Sequence, residues 1–298
     1  MGRLARGRGE TIFDAALVVF FVALSFLMIF PFWTVLMTSL VNIGEFTRRP
    51  VIWWPRDLTP LSYQYLFSTP RFVRSIGISV YITALGTLWG LFLTSQVAYA
   101  LSKKTLPGRN FLLIVLTFTM FFSGGLIPVY LWIRTLGLMN TYWALILPIG
   151  VNVWNFIVMK AFFNQLPQSL EESAKMDGAN DIVVFWRIVV PLSKPLFATF
   201  GLFYSVALWN SWFPPLLYIT DRDRQPLALV LRQMVVSQIG PPGEIDQARR
   251  AARFGTMDMF LEGLNAAAVI VATIPILCIY PWLQKYFAKG VMLGSVKG

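Results

Sequence analysis

Glu172-Ser173-Ala174-Lys175-Met176-Asp177-Gly178-Ala179, followed by Phe185, Ile188, Pro191 and Pro195, lies between two long apolar runs and decides how the rest of the chain is read. Locally it has the grammar of a helix that stops and restarts. Asp favours turns, Gly supplies a backbone with φ above zero, and Pro opens a new segment. An acidic helix start with Asp-Gly and a downstream Pro also occurs in ordinary helix-turn-helix units, so the flanks carry the decision.

Those flanks belong to a bilayer. The chain is 56% hydrophobic and 13% charged, against about 25% charged in a soluble domain. Charge-free windows at 15–44, 75–102, 110–133, 135–159, 195–220 and 263–284 each reach the roughly 20 residues that a hydrocarbon core demands. In lipid the backbone must bond within its own segment, so each window is expected to be a helix, and the alternation of barrel strands is absent. The expected fold class is an all-α membrane protein with six transmembrane helices in one domain, 1–298, with a loop at 164–197 and a tail at 286–298 on one face. Met1 to Arg8 is basic and precedes an apolar run. That run outlasts the roughly 7–15 residues of a signal-peptide core and no small-residue cleavage site closes it, so a retained first helix is expected. The single Cys278 falls in the last window and is expected to be a free thiol in the core.

Within the windows, Gly86 and Gly90 stand at GxxxG spacing, which lets helix backbones approach closely. Pro128, Pro148, Pro214, Pro215, Pro275 and Pro281 are expected to bend or interrupt their helices and so build a kinked bundle that lines a cavity. Two polar-aromatic groups are candidate pathway residues: Asn152, Trp154 and Asn155 in the fourth window, and Trp209, Asn210 and Trp212 in the fifth. Aromatic faces stack on sugar rings and amides bond hydroxyls, although packing between helices explains such residues equally well. Asn210 in hydrocarbon needs a partner, so it is expected to face another helix or a wet cavity. Trp53 and Trp54 in the first connection read as an interfacial anchor. A short helix is expected near Pro226 to Ile239.

Absences narrow the chemistry. The chain has no histidine, which removes Ser-His-Asp catalysis and the commonest zinc ligand; no catalytic or metal site is expected. No G-x-x-x-x-G-K-[ST] loop occurs to cradle nucleotide phosphates. The windows hold no Asp or Glu, whereas ion-coupled secondary transporters commonly keep an intramembrane carboxylate, so that class is the weaker alternative and a membrane-embedded enzyme weaker still. With the N-terminus inside, all eight lysines share the face of the 164–197 loop, and every cation of the opposite loops is arginine. The short loops lean the same way, Lys103, Lys104 and Arg109 against Arg134.

The Glu five before Asp177, the Ala after Gly178, the Phe eight on and the prolines at fourteen and eighteen together resemble the coupling loop of ABC-importer permeases. Ser173 departs from the usual Ala but keeps a small residue. The pattern from Trp209 to Pro215 and the ending Gly294-Ser295-Val296-Lys297-Gly298 are similar to carbohydrate permeases of the maltose type. The resemblance implies an ABC importer type I permease fold in the inner membrane, both termini cytoplasmic. It also implies coupling to an ATPase through Glu172, Ala174, Asp177, Gly178, Ala179 and Lys297, with Asp177 and Gly178 as the turn seated in the ATPase groove. The implied partners are a second homologous permease subunit, two ATPase subunits, a periplasmic or extracytoplasmic solute-binding protein, membrane lipid and a carbohydrate, with no nucleic acid. ATP and Mg would be bound by the ATPase, and no cofactor by this chain. Arginines of the outer loops (Arg48, Arg49, Arg56, Arg71, Arg74, Arg134, Arg222, Arg224, Arg232, Arg249, Arg250, Arg253) outnumber the carboxylates there, which favours an acidic polysaccharide such as alginate. An ABC importer of a non-sugar solute is the alternative within the family.

Overall fold

A computed structural model gives the fold over residues 8–41, 45, 52–237 and 257–294. The apolar windows become helices: α1 (Arg8–Ser39), α2 (Leu61–Ser68), α3 (Pro70–Ser102), α4 (Arg109–Phe121), α5 (Leu126–Thr135), α6 (Trp143–Ile146), α7 (Val153–Phe163), α8 (Gln168–Met176), α9 (Asp181–Val184), α10 (Val190–Leu192), α11 (Lys194–Trp209), α12 (Phe213–Tyr218), α13 (Leu227–Ser237) and α14 (Met257–Gly294). Among the described residues the strand-like pairing is one isolated antiparallel bridge, Val41 to Leu58. The short helix expected near Pro226 is α13.

Helices Ile12–Ser39, Pro70–Ser102 and Glu262–Ile279 are each long and apolar enough to cross a bilayer. The other spans are bent pairs. Arg109–Phe121 and Leu126–Thr135 meet at 113°, Trp143–Ile149 and Val153–Phe163 at 44°, and Asp181–Leu192 and Lys194–Trp209 at 84°. Counted once each, the pairs bring the spans to the six expected, but not as six rods. At 1.5 Å per residue, α4 and α5 are about 20 and 15 Å long, each short of a core about 30 Å thick.

The breaks only partly follow the prolines. The third window breaks at Phe122-Ser123-Gly124-Gly125, not at Pro128; Gly125 takes φ +83°, and Pro128 sits in the first turn of α5, where its missing N–H costs no helical bond. Pro275 and Pro281 lie inside α14, which continues through both. The fifth window does stop where expected: α11 ends at Trp209 and α12 starts at Phe213 with prolines in its first turn. Cys278 is exposed rather than in the core, because it lies on a helix face that no other described element covers.

The chain divides into two compact units. One comprises Met1–Thr69 and Gln233–Thr273. Here α1 is exposed over most of its length, with Met37 and Ser39 buried in its last turn, and it receives the first connection through aromatic contacts: Phe30 and Trp53 rings lie 5.0 Å apart, and the Trp33 indole N–H donates to the Trp53 carbonyl at 3.0 Å. Ser39 and Tyr63 share a hydroxyl bond of 2.7 Å that ties α1 to α2.

The other unit comprises Pro70–Arg232 and Ile274–Gly298. Its axis is α3, 33 residues long or about 50 Å, packed chiefly on α11 and α7. One apolar cluster forms near its C-terminal end from Ala98, Tyr99, Leu101, Phe156, Met159, Phe163, Phe185 and Phe200. A second forms toward its N-terminal end from Ile78, Ile82, Ile133, Leu145, Ile146 and Tyr218. Between them the GxxxG pair does what its spacing predicts: a Cβ on Gly86 would stand 2.8 Å from Leu208 Cδ1, and one on Gly90 2.7 Å from Tyr204 Cε1.

These two glycines are not equivalent. The Leu208 methyl is the end of a flexible side chain, whereas the Tyr204 ring is pinned by its hydroxyl, which shares a buried bond of 2.7 Å with Thr94. Gly90→Ala is therefore expected to cost about 1–3 kcal/mol through overpacking. Gly86→Ala should be nearly neutral, its smaller clash offset by the roughly 0.5–1 kcal/mol that Ala gains over Gly in a helix. Thermal melting of the two purified variants checks the order; equal melting points would contradict it.

Candidate functional site

The 164–197 segment is built around α8, whose last turn closes with a specific cap. The Ala179 N–H donates to the Ala174 carbonyl at 2.9 Å and the Gly178 N–H to the Lys175 carbonyl at 3.0 Å, the double bond of a Schellman motif. That motif puts its C′ residue in the left-handed region, and Gly178 has φ +84°. Nothing lies within 4 Å of where its Cβ would be, so the requirement for Gly is conformational and the tip stands open. Ala174 and Ala179 pack beneath it against the cluster of Tyr99, Phe163 and Phe185. Glu172 and Asp177 are exposed.

Beyond the turn, the Asn180 side chain caps α9 by accepting from the Val183 N–H at 2.8 Å. The chain then widens into a π-helical turn, Phe185–Val189, in which the Val190 N–H reaches back to the Phe185 carbonyl. Pro191 follows at once, and such a turn is a usual way to absorb a residue that cannot continue the ladder. Lys175 pairs with Asp181 at 2.8 Å across the turn, and the hydrogen bond to that carboxylate raises the Lys175 pKa. Two features escaped sequence reasoning. Met176 is 90% exposed at the tip, its only signal being a lone apolar residue in a polar turn. Glu171 pairs with Lys103 at the end of α3. Lys297 lies outside the described residues.

A second concavity lies in the same unit, a cavity of about 640 Å³ lined by residues of α3, α7, α11 and α12, among them Ser79, Asn152, Trp154, Tyr204, Ser211 and Tyr218. Its wall is formed where the backbone leaves the helix. The Asn152 side chain caps α7, accepting from the Asn155 N–H at 3.0 Å, and the Asn152 N–H donates to the Tyr204 hydroxyl at 3.4 Å. The Thr94 hydroxyl donates to the Gly150 carbonyl at 3.4 Å and meets Tyr204 at 2.7 Å. Tyr204 is thus the junction of three elements, and a tyrosine in an apolar run gave no hint of it.

The structure brings Asn152 and Trp154 to this cavity, Trp154 being 60% exposed. Asn155 is buried behind them. Of the fifth-window group, Ser211 lines the cavity and its named neighbours do not. Trp209 lines a separate, apolar groove with Thr83, Thr87 and Pro275. Trp212 has the Arg232 guanidinium 3.9 Å over its ring. Asn210 faces neither a second helix nor the cavity wall. Its amide donates to the Val206 carbonyl of its own helix at 3.0 Å, the same carbonyl that accepts its backbone N–H at 3.1 Å.

Residues 1–293 match the family described as the binding-protein-dependent transport system inner membrane component. LplC of Bacillus subtilis is 46% identical over 287 residues, covering 96% of this chain and 95% of LplC. The polygalacturonan/rhamnogalacturonan transport system permease protein YtcP of the same organism is 40% identical, covering 96% and 99%. A chain from the crystal structure of a bacterial ABC transporter involved in the import of the acidic polysaccharide alginate superposes with a TM-score of 0.86 at 28% identity, covering 96% of this chain and all of that one. By sequence over nearly its whole length, and by fold, this chain belongs to the binding-protein-dependent transport system inner membrane component family.

Proposed function

We propose that the chain is the permease subunit of an ABC importer for an acidic oligo- or polysaccharide. The observation that carries this reading is kinship along almost the full chain with two transport proteins whose names specify polyuronate cargo, YtcP and the alginate importer. The cavity chemistry supports it: an indole, two tyrosine rings, an amide and two serine hydroxyls converge, which is what a pyranose with alternating apolar faces and hydroxyls requires. Outside the cavity lining, Arg232 held over Trp212 presents a cation suited to a carboxylate.

In this reading the subunit sits in the inner membrane with both termini cytoplasmic, beside a second homologous permease. Two ATPases bind ATP and Mg, and an extracytoplasmic binding protein delivers the sugar. The segment 164–197 is the coupling loop: ATPase closure moves the exposed tip at Met176, Asp177 and Gly178, with Glu172 beside it and Ala174 and Ala179 fixing the turn. The tail at 286–298, with Lys297, reaches the ATPases. Helix movement then opens the cavity first to one side and then to the other.

Stimulation of ATP hydrolysis by candidate saccharides in the reconstituted complex tests the cargo. Polyuronates should stimulate and neutral oligosaccharides should not; stimulation by a non-sugar solute alone would overturn the reading. Uptake at limiting polyuronate should also fall as salt shortens the Debye length from roughly 30 to 8 Å, with the binding protein's own salt dependence measured separately.

At the tip, Gly178→Val is expected to uncouple ATP hydrolysis from uptake, since a non-Gly residue in the left-handed region costs about 1–2 kcal/mol and a β-branched one more. Gly178→Asn, which tolerates that region, should retain most coupling. Wild-type coupling in the Val variant would remove the loop from the mechanism.

In the cavity, Trp154→Ala and the cap-preserving Asn152→Ser are each expected to lower uptake per assembled complex about tenfold, the equivalent of about 1.4 kcal/mol. Asn210→Ala, which loses only a bond within its own helix, should stay within about twofold. A reversed order would place the sugar path on the α11 end.

A further inference from the structure

We propose that Lys103, Glu171 and Tyr99 form a strut through which the 164–197 segment moves α3, so that Glu171 and Lys103 are positioning residues for energy coupling. The inference rests on the coupling-loop reading of that segment and adds the route by which its movement leaves it.

Three observations converge. Glu171 lies in the first turn of α8, and its carboxylate pairs with the Lys103 ammonium, 68 residues away in sequence, with both side chains largely buried at 16% and 26% exposure. Lys103 is not on a loose loop: its N–H still bonds the Ala100 carbonyl at 3.2 Å, so it moves with the last turn of α3. The same ammonium stands 4.2 Å over the Tyr99 ring. That ring is wedged between Phe163 at the end of α7, centroids 6.2 Å apart, and Phe185 in the π-helical turn, 5.1 Å apart.

The geometry distinguishes a strut from ordinary packing. Ala174 and Ala179 pack against the same cluster through apolar contacts, which are non-directional and let surfaces slide. A charge-assisted bond is directional, and breaking one partner of a shielded pair leaves an uncompensated charge. By contrast the Lys175–Asp181 pair is half-exposed on both sides and lies within the segment, so it transmits nothing to α3 and is weak by its exposure. From Tyr99 to Ile82 and Ser79 in the cavity wall, α3 is an unbroken helix about 25–30 Å long. Displacement of Glu171 is thereby delivered to the cavity without passing through any of the three breaks.

The test uses the whole complex in proteoliposomes and reads ATP hydrolysed per sugar imported, alongside the amount of complex assembled. Glu171→Lys and Lys103→Glu should each raise that ratio about five- to tenfold, the loss expected for one shielded charge pair, and the double swap should return it to within about twofold of wild type. A merely structural pair would instead lower assembly and leave the ratio of the surviving complex unchanged, which overturns the proposal. Should either single variant fail to assemble, Lys103→Cys with Glu171→Cys, in a Cys278→Ser background, bridged by a short bis-methanethiosulfonate after assembly, decides the matter. Import that persists when bridged supports a strut that stays closed through the cycle; import abolished by the bridge refutes it. Gly178→Val in the same assay separates the two levels: if it leaves the ratio untouched the coupling-loop reading fails, whereas if it uncouples and the charge variants do not, the strut alone is wrong.

Discussion

A hydrocarbon solvent offers no hydrogen bonds, and the architecture is an answer to that single deficiency. Every backbone N–H and C=O in it must be satisfied by the protein, so an interruption of a helix is tolerated only where substitutes are built in. The break at Gly150 to Asn152 supplies a Thr94 hydroxyl for the Gly150 carbonyl and the Tyr204 oxygen for the Asn152 N–H. The break after Trp209 reuses its own helix, with the Asn210 amide and N–H both on the Val206 carbonyl. Asn152 and Tyr204, which meet at the first of these breaks, both line the cavity.

Seen this way, α3 matters because it does not break. Its glycines bring α11 close in the middle, its two ends enter the two apolar clusters, and its C-terminal turn carries Tyr99 and Lys103. It is the helix of this unit that joins both clusters without a break.

The sequence made the spans legible because a charge-free window is a property of composition, which survives any rearrangement of packing. It made the turn at Gly178 legible to the residue, since the C′ position of such a cap is left-handed and is usually filled by Gly. It located the breaks less well. Proline was the natural suspect, yet Pro128 occupies a first-turn position where its missing N–H is harmless, and the adjacent Gly124-Gly125 did the work. The cavity was half legible. Asn152 and Trp154 stood out as polar or amphipathic residues in an apolar run, but helices that are apolar on all sides carry no signal of which face turns inward. Tyr204 and Ser211 could not be distinguished from their neighbours, and Asn210 drew attention for a partner it finds locally.

The difference between the unbroken helices and the bent pairs also bears on how the chain comes to be in the membrane. Helices α1, α3 and α14 each carry enough continuous apolar length to partition as independent units. The elements α4, α5, α6, α7 and α12 do not, being too short or too interrupted to satisfy the bilayer alone. They are satisfied in a bilayer only where neighbours supply the missing hydrogen bonds, so their place in the membrane depends on packing in a way that α1, α3 and α14 do not share. Until α3 and α11 stand beside it, the break at Gly150 to Asn152 lacks the Thr94 and Tyr204 hydroxyls that satisfy its carbonyl and its N–H.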